Sequence, residues 1–139
     1  MDILSRQEIS RAELKRKLLR YSEDEEEIDR VLAEFAERNW QSDQRFAESY
    51  IHSKSKQHGR LRLKHALNAK GVSEEDARAF LPDRRQELQT AISVLRKKFK
   101  HPDKDPKEIQ KQMRFLAYRG FDMDTIHTAI KSDWAETEE

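Results

Sequence analysis

The segment LNAKGVSEEDARAFL, residues 67–81, occurs three times in related form along this chain of 139 residues. The related segments are LLRYSEDEEEIDRVL (18–32) and LAYRGFDMDTIHTAI (116–130), and successive copies lie 49 residues apart. Every copy has an apolar residue at its first, eleventh and last position, and its fifth position is Ser22, Gly71 or Gly120. A period near 50 residues is typical of repeated multi-helix units. The sequence therefore predicts a tandem helical repeat.

The composition favours small stacked units over one large core. Only 35% of the residues are apolar and 40% are charged, which leaves little side-chain volume for a single large core. Cysteine is absent, which excludes disulfides, thiolate zinc sites and a cysteine nucleophile. No apolar run approaches the roughly 20 residues of a membrane span, and no signal-peptide segment is recognisable. We therefore expect a cytoplasmic protein without membrane contact.

Local signals predict eight helices and no strand. The predicted helix caps are Ser10, Ser22, Ser42, Ser73 and Asp105, each preceding an amphipathic or acidic run. Gly71 and Gly120 are predicted to end helices as C-terminal glycine caps, and Pro82 keeps the preceding helix short. We expect an all-α fold of tandem three-helix repeats forming an elongated, curved, solenoid-like array. Its predicted repeats are residues 1–57, 58–101 and 102–139, the third truncated to two helices and an acidic tail.

Two neighbouring residues of the third predicted helix are assigned structural roles. Phe46 is in register with Tyr50 on one helix face and is predicted to lie in the core. Arg45 beside it is predicted to pair with a carboxylate inside the fold, although it also has the chemistry to reach a partner.

The net charge of +1 conceals a strong segregation of charge along the chain. Residues 52–70 contain six basic and no acidic side chains, and residues 96–119 contain nine basic and three acidic ones. Basic surfaces of this kind usually contact nucleic acid or an acidic protein. If the repeats stack in register, the two basic clusters share one face. The predicted partner-binding residues are Lys54, Lys56, Arg60, Arg62, Lys64, Arg96, Lys97, Lys98 and Lys100.

Three motifs carry a resemblance to a known family. They are NWQSDQRFAESYIHSKSKQHGRLRLKHALNAKGV (39–72), FLAYRGFDMDTI (115–126) and ILSRQEISRAELKRKL (3–18). Together they resemble the RecX family of RecA regulators, and the resemblance covers nearly the whole chain. It implies a cytoplasmic modulator that binds RecA and enters the groove of its filament on single-stranded DNA, and we expect this protein to act as a monomer. It also implies that RecA's ATP hydrolysis, strand exchange and coprotease activity are limited. We expect the basic side chains to contact acidic RecA surface or the DNA backbone.

The sequence leaves two alternative functions open. The three-helix units could act as helix-turn-helix-like modules that bind DNA directly, which strong salt dependence would reveal. The motif HPDKDP (101–106) resembles the J-domain signature of co-chaperones through His101, Pro102 and Asp103. Against the J-domain, the helix before Gly71 lacks that family's paired tyrosines, and residues 1–60 would have no role.

Neither a metal site nor a catalytic site is predicted. His52, His58 and His65 are not spaced to meet on one helix face across Gly59. No cysteine or partnered carboxylate pattern accompanies them or the two other histidines, His101 and His127. The sequence contains no nucleophile elbow, P-loop or dinucleotide fingerprint. We expect a binding protein that is not an enzyme and uses no cofactor.

Overall fold

The computed structural model describes residues 8–134, and this part of the chain forms eight α-helices without a strand. The all-α prediction is confirmed. The helices are α1 Arg11–Leu18, α2 Glu25–Glu37, α3 Asp43–Lys54, α4 Arg60–Ala69, α5 Glu74–Arg78, α6 Arg84–Phe99, α7 Pro106–Tyr118 and α8 Met123–Lys131. The first five residues of the motif at 3–18 and the last five of the acidic tail, 135–139, lie outside the described residues.

Four of the five predicted caps, Ser10, Ser42, Ser73 and Asp105, precede helices in the structure. The Ser10 side-chain oxygen accepts the Glu13 N–H at 3.2 Å at the start of α1, and Ser73 plays the same part at α5. Asp105 caps α7, with Pro106 at its first position. These side chains satisfy N–H groups that have no partner within the helix.

The predicted cap Ser22 is wrong. Helix α2 begins at Glu25, and its cap is Asp24, whose carboxylate accepts the Glu27 N–H at 3.2 Å. The Ser22 hydroxyl oxygen instead accepts the Asp24 N–H. Both residue types make good caps, and nothing in the local sequence ranks one above the other.

Helices α4 and α7 end at the two glycines predicted to cap them. Gly71 has φ +81°, and the N–H groups of Gly71 and Val72 bond back to Asn68 and Leu67, both at 3.0 Å. The same pair of bonds closes α7 at Gly120, where φ is +95°. This is the Schellman arrangement, which requires the left-handed conformation that glycine adopts without a Cβ clash.

The chain packs as two units, and unit one comprises residues 8–52 and 64–80 within the described part. A buried cluster joins α1 to α2 and contains Ile9, Leu14, Ile28 and Leu32. The fully buried Ser10 hydroxyl also donates to the Lys70 carbonyl at 2.8 Å.

The structural roles assigned in α3 are confirmed in unit one. Arg45 donates through Nε to Glu8 at 3.0 Å and through Nη1 to the Asn39 side chain at 2.9 Å. Phe46 is buried, and its ring lies 6.1 Å from that of Tyr50.

Unit two comprises residues 53–63 and 81–134 within the described part. Helix α8 packs against α6 and α7, and the buried core contains Ala91, Val94, Leu95, Leu116, Phe121, Ile126, Ala129 and Trp134. Trp134 follows α8 and is fully buried. The sequence predicts the last helix through Ile126 and Ile130 but assigns the residues after it to an acidic tail, so Trp134 was missed as a core residue.

Candidate partner-binding surface

Unit two contains a depression of about 390 Å³ that collects positive charge from three parts of the chain. It is lined by Lys56, Gln57, Val94, Lys97, Lys98, Phe115 and Arg119. We call this site, with its four basic side chains Lys56, Lys97, Lys98 and Arg119, the cationic depression. No acidic residue lines it, and no ion pair joins any of the four to an acidic group within residues 8–134. Its positive charge is therefore uncompensated at short range.

Helix geometry divides the predicted cluster in α6. Lys97 and Lys98 follow Val94 by three and four residues, so the three share one face of the helix. Arg96 lies on another face, where its Nε donates to the Trp134 carbonyl at 3.2 Å. Lys100 is exposed and follows the helix with φ +70°. Of this cluster, only Lys97 and Lys98 line the cationic depression.

A contact between two glycines holds the segment that carries Lys56. The Gly59 N–H donates to the Arg119 carbonyl at 2.8 Å, and the Leu61 N–H donates to the Gly120 carbonyl at 3.0 Å. A Cβ atom placed on Gly59 would lie 2.4 Å from the Gly120 carbonyl oxygen. The start of α4 and the end of α7 can therefore approach this closely only because both positions lack a side chain.

The buried carboxylate of Glu87 secures the same junction. It accepts the Arg60 N–H at 3.2 Å and faces the Thr125 hydroxyl at 3.5 Å. Burial raises the pKa of Glu87; the N–H groups of Arg60 and Asp122 oppose this rise, and the Asp122 charge adds to it. One acidic side chain thus supports the N-terminal ends of α4 and α8, where negative charge is favourable.

The predicted basic residues of α4 already contact the protein itself. Arg60 donates through Nη1 to the Pro82 carbonyl at 3.2 Å. The Arg62 guanidinium lies 5.6 Å from the centre of the Tyr118 ring and 3.4 Å from the Tyr118 carbonyl. In unit one, Lys64 pairs with Glu74 at 3.5 Å. The structure therefore gives these three residues intramolecular contacts and does not gather them in the cationic depression.

Lys54 is exposed at the end of α3 and does not line the depression. The part that each of the nine predicted residues plays toward a partner stays a prediction. What the structure adds is the grouping, since Lys56 from the first cluster joins Lys97 and Lys98 from the second.

Sequence reasoning missed Arg119 as a member of this site. Its guanidinium lies 5.2 Å from the centre of the Phe115 ring, four residues earlier on α7, and its carbonyl accepts the Gly59 N–H. Phe115 in turn packs edge-to-face on Phe99 at 5.5 Å. The available signal was its place directly before the glycine cap, which puts a basic side chain at the negative end of α7.

His58 lies between α3 and α4 in the same region. It is half-buried, and its Nδ1 atom is shielded from solvent without a hydrogen-bond partner among the described residues. Burial lowers the pKa of His58, and the positive charges of Arg62, Arg119 and Lys54 lower it further. The ring is therefore neutral near pH 7.

The other sites considered from the sequence were a metal centre and the loop at His101. Residues 8–134 contain no cluster of histidine and acidic side chains arranged to hold a metal ion. His101 and Pro102 are exposed in the loop between α6 and α7, where Asp103 accepts the Asp105 N–H at 2.8 Å. Within the described part of the chain, no helix is long and apolar enough to span a membrane.

Comparison with family models places two regions of the chain in RecX domains. Residues 42–81 match the second three-helix domain of RecX, and residues 85–130 match the third. The loop at His101 lies within residues 85–130, the range that matches the third domain. The two matched ranges contain helices α3–α5 and α6–α8. These ranges do not coincide with the predicted repeats 1–57, 58–101 and 102–139, and those repeat limits stay a prediction.

Similar proteins and structures agree with this assignment. The chain is 66% identical over 136 residues to the regulatory protein RecX of Neisseria meningitidis serogroup C / serotype 2a, covering 98% of this chain and 89% of that protein. It is 38% identical to the regulatory protein RecX of Chromobacterium violaceum over 129 residues, covering 93% and 84%. The crystal structure of RecX from Lactobacillus salivarius has the same fold, with a TM-score of 0.81 at 23% identity and coverage of 94% and 88%. The chain therefore belongs to the RecX family of regulatory proteins.

Proposed function

We propose that this protein regulates RecA by binding in the groove of the RecA filament on single-stranded DNA. Binding there inhibits the ATPase, recombinase and coprotease activities of the filament. In this proposal the protein acts in the cytoplasm as a monomer, and it acts by binding rather than by catalysis. Family membership supports the regulatory role, and the cationic depression supports the mode of binding.

The cationic depression is the observation that carries this mode. Lys56, Lys97 and Lys98 are exposed, and no acidic side chain lines the site with them. A surface of one charge sign accelerates association with a partner of the opposite sign and orients it. Acidic side chains of RecA or phosphates of the DNA in its filament supply that opposite sign.

Reversing the charge of the depression tests the proposal. We expect the variant Lys56→Glu/Lys97→Glu/Lys98→Glu to need about tenfold more protein, or still more, to inhibit RecA ATP hydrolysis on single-stranded DNA. Each exposed charge pair contributes about 0.2–1 kcal/mol, and reversal replaces attraction by repulsion. The measurement is the ATPase rate as the protein is titrated against a constant amount of RecA. If the wild-type protein has no effect at stoichiometric excess, the proposed function is wrong.

A matched control separates the site from overall charge. The variant Arg85→Glu/Lys104→Glu/Lys107→Glu changes the net charge by the same amount through three exposed residues of unit two that do not line the depression. Arg85 and Lys107 lie in the first turns of α6 and α7, where acidic side chains are favourable. We expect this control to inhibit RecA like the wild type. Equal impairment of the two variants would reject the cationic depression as the binding site.

Direct DNA binding is the second candidate, because an uncompensated basic surface also suits phosphates. In that case, affinity for DNA without RecA should fall by orders of magnitude between low and physiological salt. Regulation through the filament should instead require RecA. A co-sedimentation assay with and without RecA, over a range of salt concentrations, distinguishes the two.

A further inference from the structure

His58 is half-buried and is acted on by three positive charges of unit two. These charges come from Lys54 on α3, Arg62 on α4 and Arg119 at the end of α7. Arg119 is also a member of the cationic depression, so His58 and a partner bound there would share a neighbouring cation.

The fold holds His58 in this position. The next residue, Gly59, donates its N–H to the Arg119 carbonyl at 2.8 Å, and the backbone N–H of His58 itself donates to the Lys54 carbonyl at 3.0 Å. The Nδ1 atom is shielded and has no partner in residues 8–134. Burial opposes protonation of the ring most strongly, and the neighbouring cations oppose it further as long as no anion neutralises them.

The depression offers a partner charge more than apolar surface. Val94 is buried in the core, and the Phe115 ring is covered by the Arg119 guanidinium at 5.2 Å. Four basic side chains remain to make contacts. This lining suits the phosphodiester chain of single-stranded DNA, whose charges repeat along a flexible backbone, better than it suits a peptide that needs an apolar pocket.

We propose that His58 takes up a proton when a phosphodiester chain binds at the cationic depression, and that affinity for single-stranded DNA therefore rises as the pH falls. The bound phosphates offset the charge of Arg119 and its neighbours and so remove part of the opposition to a charged imidazole. By linkage, the same coupling makes protonation of His58 strengthen binding. The inference rests on the proposed function in one respect: it takes the depression as the binding surface.

The direction in which affinity changes with pH depends on whether binding raises or lowers the pKa of His58. In the free protein the pKa of His58 lies below its usual 6.5, and bound phosphates raise it. Between the free and bound pKa values the complex holds more protons than the free protein, so binding tightens as the pH falls through this window. Affinity changes tenfold for each unit by which binding raises the pKa. Outside the window His58 contributes no pH dependence.

The test uses the full chain and a thymidine oligonucleotide, whose bases and phosphodiesters keep the same charge between about pH 5 and 8. Proton NMR follows the His58 ring through this range without and with saturating oligonucleotide at low salt. We expect a higher titration midpoint for His58 in the complex and a dissociation constant that decreases as the pH falls. The variant His58→Gln should lose that part of the pH dependence, and His127→Gln, which changes an exposed histidine on α8, should retain it. Thermal unfolding confirms that both variants are folded.

Three results would overturn the inference. One is a His58 midpoint that the oligonucleotide does not move, and another is an unchanged pH dependence in His58→Gln. The third is absence of oligonucleotide binding at any pH, even if the RecA filament is bound, because the partner would then be acidic protein surface. The proposed function is decided separately by RecA ATPase inhibition at a single pH, so the two failures can be distinguished.

Discussion

The contact between Gly59 and Gly120 leads to a quantitative prediction for Gly59→Ala. The added methyl group would lie 2.4 Å from the Gly120 carbonyl oxygen and 2.6 Å from the Phe121 nitrogen. Both atoms belong to the backbone, so no side chain can rotate out of the way. The start of α4 must therefore move away from the end of α7.

This movement lengthens two hydrogen bonds, from Gly59 to Arg119 and from Leu61 to Gly120. Each contributes about 1 kcal/mol, and weakening the bond from the Arg60 N–H to the buried Glu87 carboxylate costs about 1 kcal/mol more. Alanine restricts the unfolded chain and returns about 0.4–1 kcal/mol. We expect the free energy of unfolding to decrease by about 2 kcal/mol, which lowers the melting temperature by roughly 5–12 °C.

Urea unfolding followed by circular dichroism measures this loss, which should appear as a lower midpoint with an unchanged slope. Gly120→Ala should lose about 1 kcal/mol more, because its φ of +95° strains alanine in addition to the clash. The double variant should lose less than the sum, since both changes break the same contact. A Gly59→Ala protein within about 0.5 kcal/mol of wild type, or strict additivity in the double variant, would refute the reasoning.

Three further predictions concern stability. Burial raises the pKa of Glu87, so the folded state binds more protons than the unfolded state above about pH 4.5. The contribution of Glu87 to stability therefore decreases as the pH rises through its folded pKa. Glu87→Gln should remove this decrease in urea unfolding measured over a pH series. Ser10→Ala should cost about 1–2 kcal/mol by removing the α1 cap and the bond to the Lys70 carbonyl, whereas Ser22→Ala, which changes no helix cap, should stay within about 0.5 kcal/mol of wild type. Trp134→Ala should cost about 3–5 kcal/mol because it empties a fully buried position, and a thermal midpoint close to wild type would contradict its place in the core.

The cationic depression shows the limit of charge counting along the sequence. Residues 52–70 and 96–119 were correctly recognised as basic stretches, yet the structure uses their members differently. Arg96 donates to the Trp134 carbonyl, while Lys97 beside it lines the depression. Neighbours on a helix point about 100° apart, so a run of basic residues faces several directions. Which direction meets solvent depends on what packs against the helix.

The miss at Arg119 has a similar cause. It becomes part of the depression only because Gly59 and Gly120 bring the end of α7 against the start of α4. These glycines lie 61 residues apart in the chain, and only Gly120 carried a recognisable local signal. Proximity of this kind cannot be read from spacing.

The sequence by itself determined the helical repeat, most helix ends and the family. Caps such as Ser73 and Gly71 act on backbone groups three to five residues away, so the local sequence contains nearly all the information that they need. The tertiary structure alone decided that Lys56 joins Lys97, Lys98 and Arg119, and that Arg60 and Arg96 bond to backbone carbonyls instead. The physical reason is that a cap depends on bonds within one turn of chain, whereas a charged surface depends on which helix faces remain after the core has packed.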